Sequence, residues 1–359
     1  MSRPVIIAAG GTGGHVIPAL AVAAQLQQRD VPVIWLGTQS GLEARLVPAH
    51  GIDIHWISVA GLRGKNMLQT VVAPFKLMRS CFQSLQIVRR LKPGAVLGMG
   101  GFVSGPVGIA ALVLRKPLVL HEQNAVAGMT NRWLSGKASR VFAAWPGAFG
   151  KASTAERVVG NPVNAQIARM AADRHPIELD SQQPLRILVV GGSRGARVLN
   201  EIVPAAIAQL PMAVKVNHQT GTADCDVVRK RYESASLALS TVTEFIDDMA
   251  VAYRSADLII CRSGAMTVTE ISALGIPGIL VPFPYAVDDH QTRNADQLSQ
   301  AGAAIVMAQS VFTADSLSHK ISQLATDRAR LNSMSLAAQS CFLPMAAEAV
   351  ADALIEVAR

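Results

Sequence analysis

The sequence predicts an α/β protein made of two similar, doubly wound parallel-sheet domains, and three observations carry that expectation. First, two glycine-rich turns, each fed by an apolar run, stand half a chain apart: Val5-Ile6-Ile7-Ala8-Ala9 enters Gly10-Gly11-Thr12-Gly13-Gly14-His15, and Ile187-Leu188-Val189-Val190 enters Gly191-Gly192-Ser193-Arg194-Gly195-Ala196. Gly10, Gly11 and Gly14 align with Gly191, Gly192 and Gly195, and Thr12 with Ser193, so each half opens with a buried strand, a tight turn and a helix. Second, short apolar runs alternate with longer helical stretches, the pattern of a parallel sheet with crossover helices. Third, the chain has 359 residues, half of them hydrophobic and only 16% charged. That length exceeds what one core supports, and the composition allows sheets buried on both faces.

Each element follows in order. Residues 5–9 are an uninterrupted apolar strand, residues 18–28 a helix and residues 31–36 a second strand. A long helix is expected over residues 68–91. Residues 93–114 carry no charge and would draw attention as a membrane span, but Gly94, Gly98, Gly100, Gly101, Gly105, Pro106 and Gly108 interrupt them. Strand 95–97, a glycine loop and a helix is the better parse. Residues 117–120 form another strand, and Gly160-Asn161-Pro162-Val163 closes the first half with turn-like residues. The polar stretch 180–184 precedes the second glycine turn, and residues 258–261 and 278–281 are strands of the second half. A last helix, residues 346–357, has no domain assigned to it by pattern alone. Ligands of open parallel sheets bind at the carboxyl ends of strands, so the segments after each strand are where chemistry is sought.

The net charge of +8 suits nucleic acid, an anionic membrane or a polyphosphate substrate. Aromatic residues make up only 4%, and no basic run is interleaved with them, which weakens the nucleic-acid reading. Cys81, Cys225, Cys261 and Cys341 are far apart without a C-x-x-C pair, so neither a zinc site nor a disulfide framework is expected, and a reducing compartment fits them. Met1-Ser2-Arg3-Pro4 runs straight into the first strand, and no signal peptide is expected. A nicotinamide-binding turn would need glycine where Val16 stands and a carboxylate after Trp35-Leu36-Gly37-Thr38; a nucleoside-triphosphate loop would need G-x-x-x-x-G-K-[ST]. Neither is present.

The candidate site residues follow the strands. A glycine turn at a helix start bares backbone N–H groups to an anion, and Ser263-Gly264 repeats that arrangement after strand 258–261. Glu270 falls about one and a half turns into the next helix, where a carboxylate can accept two hydrogen bonds from a ribose diol; a solvated helix charge is the plainer alternative. Gln291 and Asn294 offer amides suited to sugar hydroxyls. Asp288, Asp289 and His290 are adjacent rather than spaced as metal ligands, and no metal is expected. His121-Glu122-Gln123-Asn124 places four polar residues after an apolar strand end. His15 starts the first helix, where the dipole favours the neutral imidazole that a general base must be; a residue capping a turn is the alternative. Val71, Phe75 and Met78 share one helical face with Cys81, near Arg63, Lys65, Lys76 and Arg79. Such a stripe is either core or a membrane-facing patch.

Gly10-Gly11-Thr12-Gly13-Gly14-His15, Gly61-Leu62-Arg63-Gly64-Lys65, Gly98-Met99-Gly100-Gly101-Phe102-Val103-Ser104-Gly105-Pro106, His121-Glu122-Gln123-Asn124, Gly191-Gly192-Ser193 and Ser263-Gly264-Ala265 occur in this order. Together they resemble the bacterial MurG family, N-acetylglucosaminyltransferases that turn lipid I into lipid II in peptidoglycan synthesis, over essentially the whole chain. The resemblance implies a GT-B glycosyltransferase: two Rossmann-like domains separated by a deep cleft, residues 1–161 for the acceptor and membrane, residues 162–340 for UDP-GlcNAc, with residues 341–359 returning to the first. It implies an inverting transfer to the C4 hydroxyl of the acceptor sugar, with UDP-GlcNAc as co-substrate and no required cofactor.

By the same resemblance the donor meets Thr12, Gly13, Gly14, Asn124, Ser193, Ile246, Ala265, Met266, Thr267, Val268, Thr269, Glu270, Gln291 and Asn294. The acceptor pyrophosphate meets Gly13, Gly14, Gly101, Ser104 and Gly105. His15 is the first candidate base and Glu122 the second. Val71, Phe75 and Met78 would dock on anionic lipids at the cytoplasmic face of the inner membrane, as a peripheral protein. Other cell-wall synthesis proteins are implied as partners, and nucleic acid is not. One departure stands out: the family commonly has arginine where this chain has Asn164, and asparagine replaces neither its charge nor its planar donor fork. A UDP-GlcNAc 2-epimerase of the same fold and a basic nucleic-acid-binding protein are the alternative readings.

Overall fold

Val5–Ala8 (β1) is buried over its whole length, and in the computed structural model it lies inside a parallel sheet. The structure describes residues 3–59, 67–152, 156–173, 183–191 and 196–359, with the backbone alone for 67–73 and 152. The chain divides into two compact units, Met1–Ala165 with Leu343–Arg359, and Gln166–Phe342.

In the first unit β1 is followed by α1 (Gly13–Gln27), β2 (Val33–Gly37), α2 (Glu43–Ala49), β3 (Asp53–Trp56) and α3 (Met67–Leu91). Then come β4 (Ala95–Gly98), α4 (Gly101–Val113), β5 (Leu118–Glu122), α5 (Met129–Ser135), β6 (Arg140–Ala143) and β7 (Glu156–Val158). Among the described residues these strands make one sheet in the order β3-β2-β1-β4-β5-β6-β7, with every pair parallel. Side chains alternate across it, as the strand period of two requires. Val5 and Ile7 pack with α1 on one face, while Ile6 and Ala8 pack with Val103 and Val107 of α4 on the other. The strand order reverses between β1 and β4, and the turns that follow these two strands flank that switch point.

The second unit runs α6 (Ala165–Ala172), β8 (Leu185–Val190), α7 (Arg197–Ala208), β9 (Val214–Gln219), α8 (Cys225–Ser234), β10 (Ser240–Thr243) and α9 (Met249–Arg254). It continues with β11 (Leu258–Cys261), α10 (Ala265–Leu274), β12 (Gly278–Leu280), α11 (His290–Gln300), β13 (Ala304–Val306), α12 (Ala314–Thr326) and α13 (Arg328–Ser340). Its sheet order, β10-β9-β8-β11-β12-β13, repeats that of the first six strands of the other unit. Its switch point lies between β8 and β11. Both sheets are therefore Rossmann-like, as the sequence predicts.

One detail differs from expectation. Helix α1 begins at Gly13, well before residue 18, because the glycine turn itself feeds it: the N–H groups of His15 and Val16 both reach the Thr12 carbonyl at 3.2 Å. The final helix, α14 (Ala346–Ala358), is assigned by its packing. Val350, Ala351 and Leu354 join the core formed by β1 and α1. Arg29–Asp352 and Arg140–Glu356 pair across its exposed side at 3.3 and 3.0 Å and add little stability there. The segment 93–114 resolves into β4, a glycine loop and α4. No helix among the described residues is long and apolar enough to cross a membrane.

Candidate active site

In the first unit the glycine turn after β1 is held by a residue that sequence reasoning passed over. Gly11 adopts φ +94°, a backbone region that favours glycine, and its N–H donates to Glu43 Oε2 at 2.9 Å. Oε1 of the same carboxylate accepts from the Thr38 N–H (2.9 Å) and hydroxyl (2.7 Å). Glu43 is wholly buried, so it acts as a brace joining the ends of β1 and β2. The available signal was the tight turn itself, since its buried N–H requires an acceptor.

His15 lies in the first turn of α1 against the loop after β4. A side chain at Gly100 (φ +86°) would come within 3.2 Å of His15 Cε1, and one at Gly101 (φ +72°) within 3.3 Å of Cδ2. Glycine at both positions lets the loop lie flat along the imidazole. His15 Nδ1 is 2.9 Å from Gln123 Oε1. Gly13, Gly14 and Gly101 occupy the first turns of α1 and α4, where backbone N–H groups have no partner within the helix. Thr12, at the N-cap of α1, is exposed and its side chain makes no capping bond.

Other expected contacts in this unit are engaged internally. The Ser104 hydroxyl is buried and donates to the carbonyls of Ala8 (2.8 Å) and Gly100 (2.7 Å), fastening α4 to β1. Gly105 lies within α4, past its first turn, so its N–H belongs to the helix ladder. Glu122 is buried, and its two oxygens accept from the Asn124 N–H (3.0 Å) and Nδ2 (3.1 Å), the Gly128 N–H (3.1 Å) and Asn131 Nδ2 (2.9 Å). A carboxylate so engaged organises the loop that carries Asn124.

In the second unit the turn Arg262-Ser263-Gly264 joins β11 to α10. Ser263 Oγ donates to the Gln291 carbonyl at 2.7 Å, Asn294 Nδ2 donates to the Ser263 carbonyl at 3.2 Å, and Arg262 reaches the carbonyls of Val281 and Pro282. The N-cap of α10 is Gly264, with no side-chain cap and no acidic residue in the first turn. The N–H groups of Ala265, Met266 and Thr267 thus form an uncapped positive end, suited to an anion. The helix ladder starts at Val268, whose N–H donates to the Gly264 carbonyl at 3.0 Å. Val268 is fully buried, and Thr269 Oγ1 bonds the Ala265 carbonyl at 2.9 Å. Both side chains are thus turned inward. Asn294 is likewise fully buried and braces the turn.

Glu270 is half-buried and accepts from the Tyr253 hydroxyl at 2.8 Å. Burial pushes its carboxyl up to about 7, against the opposing pull of the Tyr253 bond. Tyr253 carried no motif that sequence reasoning could use. The Ile246 N–H donates to Gln219 Oε1 at 3.0 Å, so a base docking there must share or displace Gln219. Gln291 Oε1 accepts from the Phe283 N–H at 2.9 Å. Ser193, with the rest of 192–195, and the segment 60–66 lie outside the described residues. Asn164 is exposed just before α6. Among the described residues no group of three or more His, Cys, Asp or Glu is gathered to hold a metal ion.

On α3, Phe75 and Met78 are 65% and 64% exposed, and Phe82, unremarked in the sequence, is 61% exposed. Their spacing puts them on one side of the helix, with Lys76 and Arg79 also exposed. The Val71 side chain lies outside the described residues. This part of the stripe is surface, not core.

Comparison with known proteins agrees with the fold. Residues 5–143 match the Glycosyltransferase family 28 N-terminal domain, and residues 186–352 match the Glycosyltransferase family 28 C-terminal domain. A UDP-N-acetylglucosamine–N-acetylmuramyl-(pentapeptide) pyrophosphoryl-undecaprenol N-acetylglucosamine transferase from Methylococcus capsulatus is 50% identical over 361 residues, covering 100% of this chain and 99% of that protein. The protein of the same name from Shewanella denitrificans is 46% identical over 362 residues, covering 100% and 98%. Among solved structures, Acinetobacter baumannii MurG matches with a TM-score of 0.83 and 41% identity, covering 99% of each chain.

Proposed function

The chain belongs to the MurG family of N-acetylglucosaminyltransferases, with glycosyltransferase family 28 domains in both halves, and from that membership we propose how its residues serve the reaction. It transfers N-acetylglucosamine from UDP-GlcNAc to the C4 hydroxyl of the N-acetylmuramoyl sugar of undecaprenyl-pyrophosphoryl-MurNAc-pentapeptide (lipid I), giving lipid II. The observation that carries the mechanism is the uncapped start of α10 with Glu270 on the same helix. Glu270 accepts from the ribose hydroxyls, and the N–H groups of Ala265, Met266 and Thr267 hold the diphosphate. As the acceptor oxygen bonds to the anomeric carbon, the bond from that carbon to the diphosphate breaks and its electron pair leaves on UDP. The growing negative charge meets preorganised backbone donors and a helix dipole, which is the role an oxyanion site fills. The acceptor hydroxyl's proton passes to His15.

Gly13, Gly14 and Gly101 offer first-turn N–H groups for the acceptor's pyrophosphate, and Thr12, Asn124, Ser193, Ile246 and Gln291 remain proposed donor contacts. No resident metal is assigned a step. The exposed Phe75, Met78 and Phe82, flanked by Lys76 and Arg79, support peripheral docking on anionic lipids at the cytoplasmic face of the inner membrane.

The test is UDP release from UDP-GlcNAc with and without a short-chain lipid I analogue. Release that depends on the acceptor, weaker donor binding in Glu270→Ala and a mainly kcat defect in His15→Ala are expected. Release without acceptor would instead point to a 2-epimerase on the same fold.

A further inference from the structure

A chain of hydrogen bonds runs inward from His15, and its far end fixes the direction of every donor in it. The Gly160 carbonyl, which can only accept, lies 2.9 Å from His121 Nε2, so that nitrogen carries a proton. His121 is fully buried, and burial pushes its pKa down to about 4, against smaller opposing effects of the Gly160 bond and the Glu122 charge. The ring is therefore neutral, and its Nδ1 is a bare acceptor. One end of the Gln123 amide sits 3.1 Å from that Nδ1 and 3.1 Å from the His121 carbonyl. Two acceptors require the NH2 end there, which settles an amide orientation otherwise open to a flip. The amide oxygen then faces His15 Nδ1 at 2.9 Å and can only accept.

The scaffold keeps this chain in place. Gln123 is itself fully buried, and its backbone carbonyl accepts from Asn161 Nδ2 at 3.0 Å. Gly160 stands at φ +83°, with Leu343 packed where a side chain would project. The Gly100 and Gly101 backbone lies against the His15 ring itself.

We propose that Gln123 and His121 are positioning residues for the transfer: they hold His15 as the Nδ1–H tautomer, so that Nε2 is the atom that takes the acceptor hydroxyl's proton. This rests on the reading of His15 as the base. No proton travels along the chain. The acceptor O–H proton goes to Nε2 as oxygen bonds to the anomeric carbon and UDP leaves with the electron pair. The resulting imidazolium keeps its Nδ1–H bond to Gln123, so the base is charged without rearranging its support.

The test uses the full-length protein with 15N-labelled histidine and long-range 1H–15N correlation spectra. The His15 signals are identified by their loss in His15→Gln. Wild type should show His15 as the Nδ1–H form; the Nε2–H form in wild type would overturn the proposal, whatever any variant does. In Gln123→Met, that form should give way to a mixture or to Nε2–H. Its kcat should fall about ten- to a hundredfold, with both KM values within about twofold. As the neutral acid, Gln123→Glu donates its O–H to His121 Nδ1 and keeps a carbonyl acceptor towards His15, so it should recover the Nδ1–H form and part of the rate. Unchanged kcat in a Gln123→Met protein whose tautomer has shifted, or a change confined to KM, would also overturn the proposal. If wild type shows the Nδ1–H form but His15→Gln keeps full kcat, the wiring stands and the assignment of His15 as base fails instead.

Discussion

Glu270, proposed to hold the donor ribose, also carries a stability cost, and one atom tests both. Its carboxyl, lifted by burial from 4.5 to about 7, stays protonated in the fold at pH values where the unfolded chain would ionise. The fold therefore loses stability as pH rises from the unfolded value towards the folded one, and the loss is complete above it. Glu270→Gln keeps an acceptor for the Tyr253 hydroxyl and removes the titration. Urea unfolding should show the variant more stable than wild type by up to about 3 kcal/mol near pH 8 and equal to it near pH 4. Water reaching the half-buried group would reduce the gain. The same variant should bind donor less well, because an amide presents one acceptor where a ribose diol uses two. At this scale the sequence was informative about residue type and weak on direction. His15, Glu270 and Gln291 were singled out because they follow strand ends, and each keeps some exposure. Ser104, Glu122, Val268, Thr269 and Asn294 follow strand ends too, yet turn inward, because what a side chain meets depends on partners distant in sequence: β1 for Ser104, the turn after β11 for Asn294.

On the proposed mechanism, helix α10 works through the group it lacks. Gly264 has φ −65° and ψ 146°, a conformation open to any residue, and a side chain there would have room, with Thr267 Oγ1 at 4.0 Å as its nearest neighbour. Gly264→Asp should therefore fold normally, cap the helix with its own carboxylate and compete with the diphosphate. The expected result is a donor KM raised about tenfold with Tm unchanged or slightly higher. A lower Tm would mean the turn does not tolerate a cap. Helix α3 allows a second element-scale test. The double variant Phe75→Ser with Met78→Ser should bind anionic vesicles more weakly and turn over a soluble short-chain acceptor at the wild-type rate. Wild-type vesicle binding should itself fall with added salt, given the charge of +8. Helix α3 and the segment 93–114 were legible as elements because their lengths and glycine breaks are local properties. The start of α1 was not, because the glycine turn enters the helix directly.

On the scale of the molecule, the matched glycine turns announced two halves of one design, and the sheets repeat the same strand order. Which sheet takes α14 was beyond the pattern, since its apolar stripe would fit either one and only packing against α1 decides it. That packing reverses the relation between the order in which the chain is made and the order in which it can be finished. The N-terminal sheet emerges first from the ribosome, but Val350 and Leu354, which complete its core, emerge only after the second unit. These two side chains alone contribute about 3–6 kcal/mol on burial, a large share of a domain's stability. A chain ending at Phe342 should accordingly aggregate or melt early, and adding residues 343–359 as a separate peptide should raise its Tm. Until α14 emerges, one face of the first sheet has α1 but lacks the rest of its cover while the second unit is being made, so the growing chain carries an apolar surface that a chaperone can recognise.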